Sequence, residues 1–307
     1  MNEEVQVAFI IGSPRSGTTI LGNILDRHES IGEWYEPYYI WLRYFDNEVD
    51  DHWRLDDRVA DKAREYLRRE FRIYQQKRGV SLVVDKSPGH AFNIDKIKAV
   101  FPSARWIHIL RDGRDTTLSI KKEWEERKRI VQQKNYQKVL QVARRALSRQ
   151  PFWRYRMKLI GYEISTSGIL HPTRFLNKSK WKGAVGWGPR FQGWEEYLAT
   201  HSSLEFNAMQ WVTSVESVYS QWDQIPLSNR LEIRYETLLA EPEKTLTTVL
   251  DFLGYAPGSQ FFKRIPRLRR GNTRKWEAEF DRAEIEAVKP ILNPMLEKTG
   301  YLQASPW

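Results

Sequence analysis

Val5-Gln6-Val7-Ala8-Phe9-Ile10-Ile11 is a nearly continuous apolar run that stops at Gly12. A segment that avoids water on both faces predicts a strand buried inside a parallel sheet. Gly12-Ser13-Pro14-Arg15-Ser16-Gly17-Thr18-Thr19 follows at once, and past Gly17 the residues Ile20, Leu21, Ile24 and Leu25 recur at helical spacing. Strand, glycine turn and helix therefore form one fragment. Its glycines let backbone N–H groups converge on an anion, and the helix N-terminus adds a favourable dipole.

The same alternation continues down the chain. Ser81–Val84 and Arg105–Leu110 read as further buried strands, and Leu231–Ile233 as another. Ile94, Ile97, Lys98 and Phe101 mark a helix stopped by Pro102, and a further helix is expected near Thr116–Glu126. Pro242 opens a helix carrying Leu246, Val249, Leu250 and Leu253, with Gly254 placed just past its end. The expected fold class is α/β: a P-loop-like parallel β-sheet flanked by helices. Residues 121–204 break the pattern, being basic to about Lys158 and then rich in Trp, Gly and Ser, and read as a helical or irregular cap insertion. No Gly/Ser/Pro linker marks a boundary, so one domain over residues 1–307 is expected, with its core in about 5–120 and 205–280.

Zero cysteines exclude disulfide scaffolds, thiolate metal sites and cysteine nucleophiles. No apolar run approaches the ~18 residues of a membrane span, and Val5–Ile11 is too short for a signal-peptide core, so a cytoplasmic location is expected. The formal charge of +10 calls for an anionic partner: nucleic acid, a membrane surface or a phosphorylated small molecule. A nucleotide kinase would carry Lys after the second loop glycine, whereas here Thr18 occupies that position and Arg15 supplies the cation. That departure counts against phosphoryl transfer assisted by a magnesium-bound triphosphate.

Taken together, the loop and several later motifs resemble the sulfotransferase superfamily, which uses 3′-phosphoadenosine 5′-phosphosulfate (PAPS) and releases the desulfated nucleotide (PAP). Pro14-Arg15-Ser16-Gly17-Thr18-Thr19 resembles the 5′-phosphosulfate loop in its arginine version. Arg111 and Ser119, spaced across Arg111-Asp112-Gly113-Arg114-Asp115, are similar to the 3′-phosphate site. Asp85-Lys86-Ser87-Pro88 and Arg234-Tyr235-Glu236-Thr237-Leu238-Leu239 resemble two further family segments. The bottom-up reading agrees, because a nucleotide with phosphates at both ends needs two anion sites at the carboxyl ends of parallel strands.

The resemblance implies a role for each matching residue. Arg15, Ser16, Gly17, Thr18 and Thr19 would hold the 5′-phosphosulfate, Arg111 and Ser119 the 3′-phosphate, and Tyr235 would lie near the adenine. Arg267-Leu268-Arg269-Arg270-Gly271-Asn272-Thr273-Arg274 resembles a late basic loop closing over the 3′-phosphate, with Arg270, Gly271 and Arg274 as its ligands. Lys86 joins Arg15 as the cation at the sulfuryl group. Glu36 is the expected general base, with Glu33 near enough to exchange with it and His90 the nearest match to the histidine used by the small-molecule branch. His28 reads as a cap of the first helix, and His108 as a core or backbone-bonded histidine. No compact metal cluster is apparent, and the family carries no obligatory metal.

The function implied is transfer of a sulfuryl group from PAPS to a hydroxyl or amine of a small-molecule or glycan acceptor by in-line displacement. Gly186-Trp187-Gly188-Pro189-Arg190-Phe191-Gln192-Gly193-Trp194 is placed to line the acceptor site, because tryptophan faces stack on sugar rings and flat heterocycles. Two other classes compete: a P-loop-type nucleotide or small-molecule kinase, and a basic nucleic-acid-binding protein. No nucleic-acid-binding motif is present, the positive charge is widely spread, and nucleic acid is not the expected partner. The choice between glycan, peptide and small-metabolite acceptors, like the oligomeric state, is not written in these motifs.

Overall fold

The computed structural model describes residues 5–133, 136–150, 152–167, 181, 186–269 and 271–307. Its strands are β1 (Val7–Ile11), β2 (Ile31–Tyr35), β3 (Phe45–Asp46), β4 (Arg54–Leu55), β5 (Leu82–Lys86), β6 (Arg105–Leu110) and β7 (Arg230–Arg234). Five of them form a sheet in the order β2-β5-β1-β6-β7, and every neighbouring pair in it runs parallel. The short β3 and β4 make a separate antiparallel ladder. The expected α/β architecture is the one found.

The period-two alternation of strand side chains sorts the apolar residues into two cores. On one face Val7, Phe9 and Ile11 pack with Val83, Trp106 and the helix Ala60–Arg78, whose Leu67, Phe71 and Tyr74 are wholly buried. On the other, Ala8 and Ile10 pack with Val84, Ile107 and Ile109 beneath the helices Thr18–Leu25 and Pro242–Phe252. With both faces covered, the central strands are apolar throughout, which is why β1 showed so plainly in the sequence.

β2 was not foreseen. Gly32 and Glu33 interrupt its apolar character, and its pairing with β5 supplies what its own residues lack. The helix expected near Thr116–Glu126 extends over Gly113–Gln132. Within the cap region the helices Tyr136–Ser148, Trp153–Ser167 and Trp194–Thr200 are present. Trp124, Trp181, Phe191, Trp194 and Phe206 close into a core cluster of their own, so most of this aromatic segment packs inward. His28 does not cap the first helix, which ends at Asp26; its ring instead contacts the carbonyl of Ala256 at 3.1 Å. His108 is buried and pairs with the Glu232 carboxylate at 2.8 Å, not with backbone.

Because all five strands are parallel, their carboxyl ends meet along one edge. The loop after β1 turns there sharply. Gly17 holds φ at +104°, and a Cβ on it would lie 2.4 Å from Cδ2 of Tyr235, the residue that follows β7. Gly17→Ala is therefore expected to combine backbone strain with a ring clash, lowering stability by about 2 kcal/mol or more. Thermal unfolding of the variant beside wild type checks this; an unchanged melting temperature would contradict it.

Candidate active site

Every strand of the sheet delivers a polar residue to the shared edge. β1 leads into the Gly12–Thr19 loop, β2 into Glu36, β5 ends at Lys86, β6 leads into Arg111, and β7 into Tyr235. A cleft of about 1330 Å³ opens over these ends, lined by Arg15, Thr18, Thr19, Glu36, Arg111 and Ser119 among others.

Arg111 knits the edge together. Its Nη1 donates to the carbonyl of Arg15 at 2.9 Å, its Nη2 to the carbonyl of Asn272 at 2.9 Å, and its guanidinium lies 4.6 Å from the centre of the Tyr235 ring. It is buried, its Nε has no partner, and the Asp115 carboxylate stands 3.9 Å away. A buried guanidinium with an unused donor, beside the buried and unpartnered hydroxyls of Ser13 and Ser16, suits an incoming anion. Arg15 Nε donates to Ser119 Oγ at 3.0 Å, so the two expected anion sites share a hydrogen bond. Arg114, by contrast, is structural: it binds Asp112 through two nitrogens and stacks 4.2 Å over Trp276.

Lys86 and Glu36 form the second part of the site. The Lys86 side chain is wholly buried; its Nζ donates to Glu36 Oε1 at 2.6 Å and sits 3.9 Å over the Tyr35 ring. A backbone bond from Glu36 N to the Lys86 carbonyl at 3.0 Å fixes the pair from the other side. An ammonium this deeply buried needs such a carboxylate and aromatic face to offset its lost hydration. Glu36 lines the cleft while Lys86 stands behind it. Arg15, Glu36 and Arg274 all hold positive φ without being glycine, at +67°, +43° and +57°. Backbone strain of this kind persists only where surrounding structure enforces it, and here it gathers around one site.

Other candidates sit differently. His90 contributes to the cleft lining, but its ring is only 1% exposed, packed among Phe9, Trp41 and Trp53 with Nε2 3.0 Å from Asp85 Oδ2. Tyr235 is buried, and its hydroxyl accepts from the Asn272 side chain at 2.9 Å. Gly271 is exposed and does not line the cleft; the Arg274 guanidinium binds Glu277 at 2.6 Å, and that residue does not line it either. Arg270 lies outside the described residues. From that loop it is Asn272 and Lys275 that reach the cleft. Sequence reasoning also passed over Glu123 and Arg127. Ser119, Glu123 and Arg127 recur every fourth residue along the helix Gly113–Gln132, a spacing that puts them on one face and was readable in advance. Trp187 lines the cleft as expected, whereas Phe191 and Trp194 belong to the core.

Comparison with known proteins bears on this geometry. The model of the sulfotransferase family matches residues 8–163 and 187–257. The sulfotransferase domain of the olefin synthase from Synechococcus PCC 7002 has a similar fold, with a TM-score of 0.53 at 17% identity over 98% of this chain and 97% of that one. The nodulation protein NoeE of Sinorhizobium fredii is 28% identical over 138 residues, which cover 38% of this chain and 32% of that protein. The match thus spans about a third of the curated relative's length.

Glu33, three residues before Glu36, faces away from the cleft. Its carboxyl is packed against Gly22 of the first helix, where a Cβ would lie 2.3 Å from Oε1. Burial pushes its pKa up to about 7, against the partial opposition of Lys86. The folded protein therefore keeps this proton up to about pH 7, while the unfolded chain releases it near 4.5. The stability contributed by the neutral acid is complete below 4.5 and is lost as pH rises through 7. Glu33→Gln should leave stability unchanged at pH 4.5 and raise it at pH 8 by on the order of 2–3 kcal/mol. Urea unfolding at the two pH values checks this, and an equal effect at both would refute it.

Proposed function

We propose that this chain, which belongs to the sulfotransferase family, takes PAPS as its sulfuryl donor and uses Glu36 as general base toward a hydroxyl or amine of the acceptor. The observation that carries this reading is the coupling of two cationic sites, Arg15 with Ser119 and Arg111, beside the Lys86–Glu36 pair in one cleft. The unpartnered Nε of Arg111 and hydroxyls of Ser13 and Ser16 are donors that fit a doubly phosphorylated nucleotide.

In this reading the phosphosulfate end lies on the Gly12–Thr19 loop and the 3′-phosphate on Arg111 and Ser119. Tyr235, with its ring under Arg111, flanks the nucleoside. Bound there, PAPS supplies an activated sulfuryl group, whose bond to the 5′-phosphate oxygen breaks as the acceptor oxygen or nitrogen bonds to sulfur. Glu36 accepts the acceptor's proton, the step that makes the nucleophile competent. Lys86, wholly buried behind Glu36 and not at the cleft surface where the sequence placed it, acts through its hydrogen bond, which holds the Glu36 carboxylate toward the acceptor. Arg15, in the loop after the neighbouring strand, supplies a cation at the cleft surface for the sulfuryl oxygens. Thr18 and Thr19, in the first turn of their helix, bring hydroxyls and the positive end of the helix dipole to the departing phosphate. His90, enclosed by aromatic rings, serves to hold Asp85 and the end of β5 in place.

Two measurements test the proposal. PAP is expected to raise the melting temperature without magnesium, and ATP with magnesium is not; the reverse pattern would favour a kinase. Arg15→Glu and Arg111→Glu should each abolish the PAP response. Glu36→Gln keeps an acceptor for the Lys86 hydrogen bond, so PAP binding should stay intact while sulfate transfer from labelled PAPS falls by about 10²-fold or more. Full turnover in that variant would move the base elsewhere.

A further inference from the structure

Besides Arg15 and Arg111, the cleft is lined by further arginines, Arg127, Arg145 and Arg149 among them. Contacts through two aromatic rings order them relative to the phosphate loop. Arg15 and Arg127 both approach the Trp187 ring, at 6.0 and 5.7 Å. Lys86 and Arg149 both approach the Tyr35 ring, at 3.9 and 4.0 Å. Burial disfavours the charged form of Arg127, and the carboxylates that oppose this are Glu123 and Glu36. Trp187 and Tyr35 thus each tie one of these arginines to a cation of the donor site, and Glu36 is one of the carboxylates that Arg127 faces.

These three differ from Arg114 and Arg190 in how their charge is met. Arg114 is matched by Asp112, and Arg190 by Asp51 and by backbone carbonyls. Arg127 Nε donates to Glu123 at 3.1 Å, yet its Nη1 is buried without a partner. Among the described residues, neither Arg145 nor Arg149 has a carboxylate within salt-bridge distance. A donor nucleotide on the Arg15 and Arg111 sites would leave this second group unneutralised. A neutral alcohol would leave it so too, with three guanidinium groups lining the same cleft.

We infer that the acceptor carries an anionic group of its own, a carboxylate, phosphate or sulfate, which docks on Arg127, Arg145 and Arg149 so that its nucleophilic hydroxyl or amine faces Glu36. The inference rests on the PAPS reading above and adds the acceptor's chemical class to it. Guanidinium forks match oxyanions with paired N–H donors, and the Trp187 and Tyr35 faces lie between the two cationic groups to pack the body of the acceptor.

The test is calorimetric titration of the PAP-saturated protein with matched pairs: glucuronic acid against glucose, glucose 6-phosphate and glucose 6-sulfate against glucose, and 4-hydroxybenzoate against 4-hydroxybenzyl alcohol. At least one anionic member is expected to bind about tenfold more tightly than its neutral mate, and the strongest arm names the oxyanion. The double variant R145Q/R149Q, at an exposed and a half-buried position, should bring that pair together while PAP affinity stays within about twofold. With PAP bound normally, equal affinities within every pair, no binding of any member, or a preference that survives R145Q/R149Q would overturn the inference alone. Failure of PAP itself to bind would remove the donor reading and this inference with it.

Discussion

The parallel pairing of five strands is the constraint from which the rest of this molecule follows. No single one of Gly17, Glu36, Lys86, Arg111 and Tyr235 defines a site, and they are scattered over more than two hundred residues of sequence. Hydrogen-bonded register between β2, β5, β1, β6 and β7 brings the strand ends into line, and the residues just beyond them become neighbours. Side chains then lock what the ladder has aligned. Arg111 reaches across to the Arg15 carbonyl, Glu36 N to the Lys86 carbonyl, and the Gly17 turn closes against the Tyr235 ring. A slip of one residue in any strand would swap its two faces and withdraw its contribution to the edge.

Much of this was legible in the chain. The apolar runs of β1 and β6 are the mark of strands covered on both sides, and the glycines of the loop after β1 marked a turn that other residues cannot make. Arg111 and Ser119 were readable because they follow a clear strand at a helical spacing. What escaped reading was set by distant contacts. β2 owes its extended form to pairing with β5, and its Glu33 points into a pocket made by Gly22 of another element. The late basic loop has several arginines in a short stretch, and distant partners fix which of its residues face the cleft: the Asp115 carboxylate, which accepts from the backbone N–H of Arg274 and Trp276, and Arg111 and Tyr235, which hold Asn272. His90 does reach the cleft, but nothing in its own segment announces Phe9, Trp41 and Trp53 packed around its ring.

Two glutamates three residues apart illustrate how environment divides roles. Glu33 is sealed under a helix and retains its proton to near neutrality; Glu36, past the end of the same strand, turns through a left-handed backbone conformation into the cleft and meets Lys86. The strand's alternation and the turn after it, not the residue type, separate them.

That left-handed conformation at Arg15, Glu36 and Arg274 has an evolutionary consequence. Each site would relax with glycine, so random drift toward a sturdier chain has an easy first step at each. At Arg15 and Glu36 such a step would remove a charge from the cleft lining, and at Arg274 from the loop beside it. A lineage chosen in the laboratory for heat resistance alone should therefore lose cleft charge early, with the codons of Arg15 and Glu36 the first places to look.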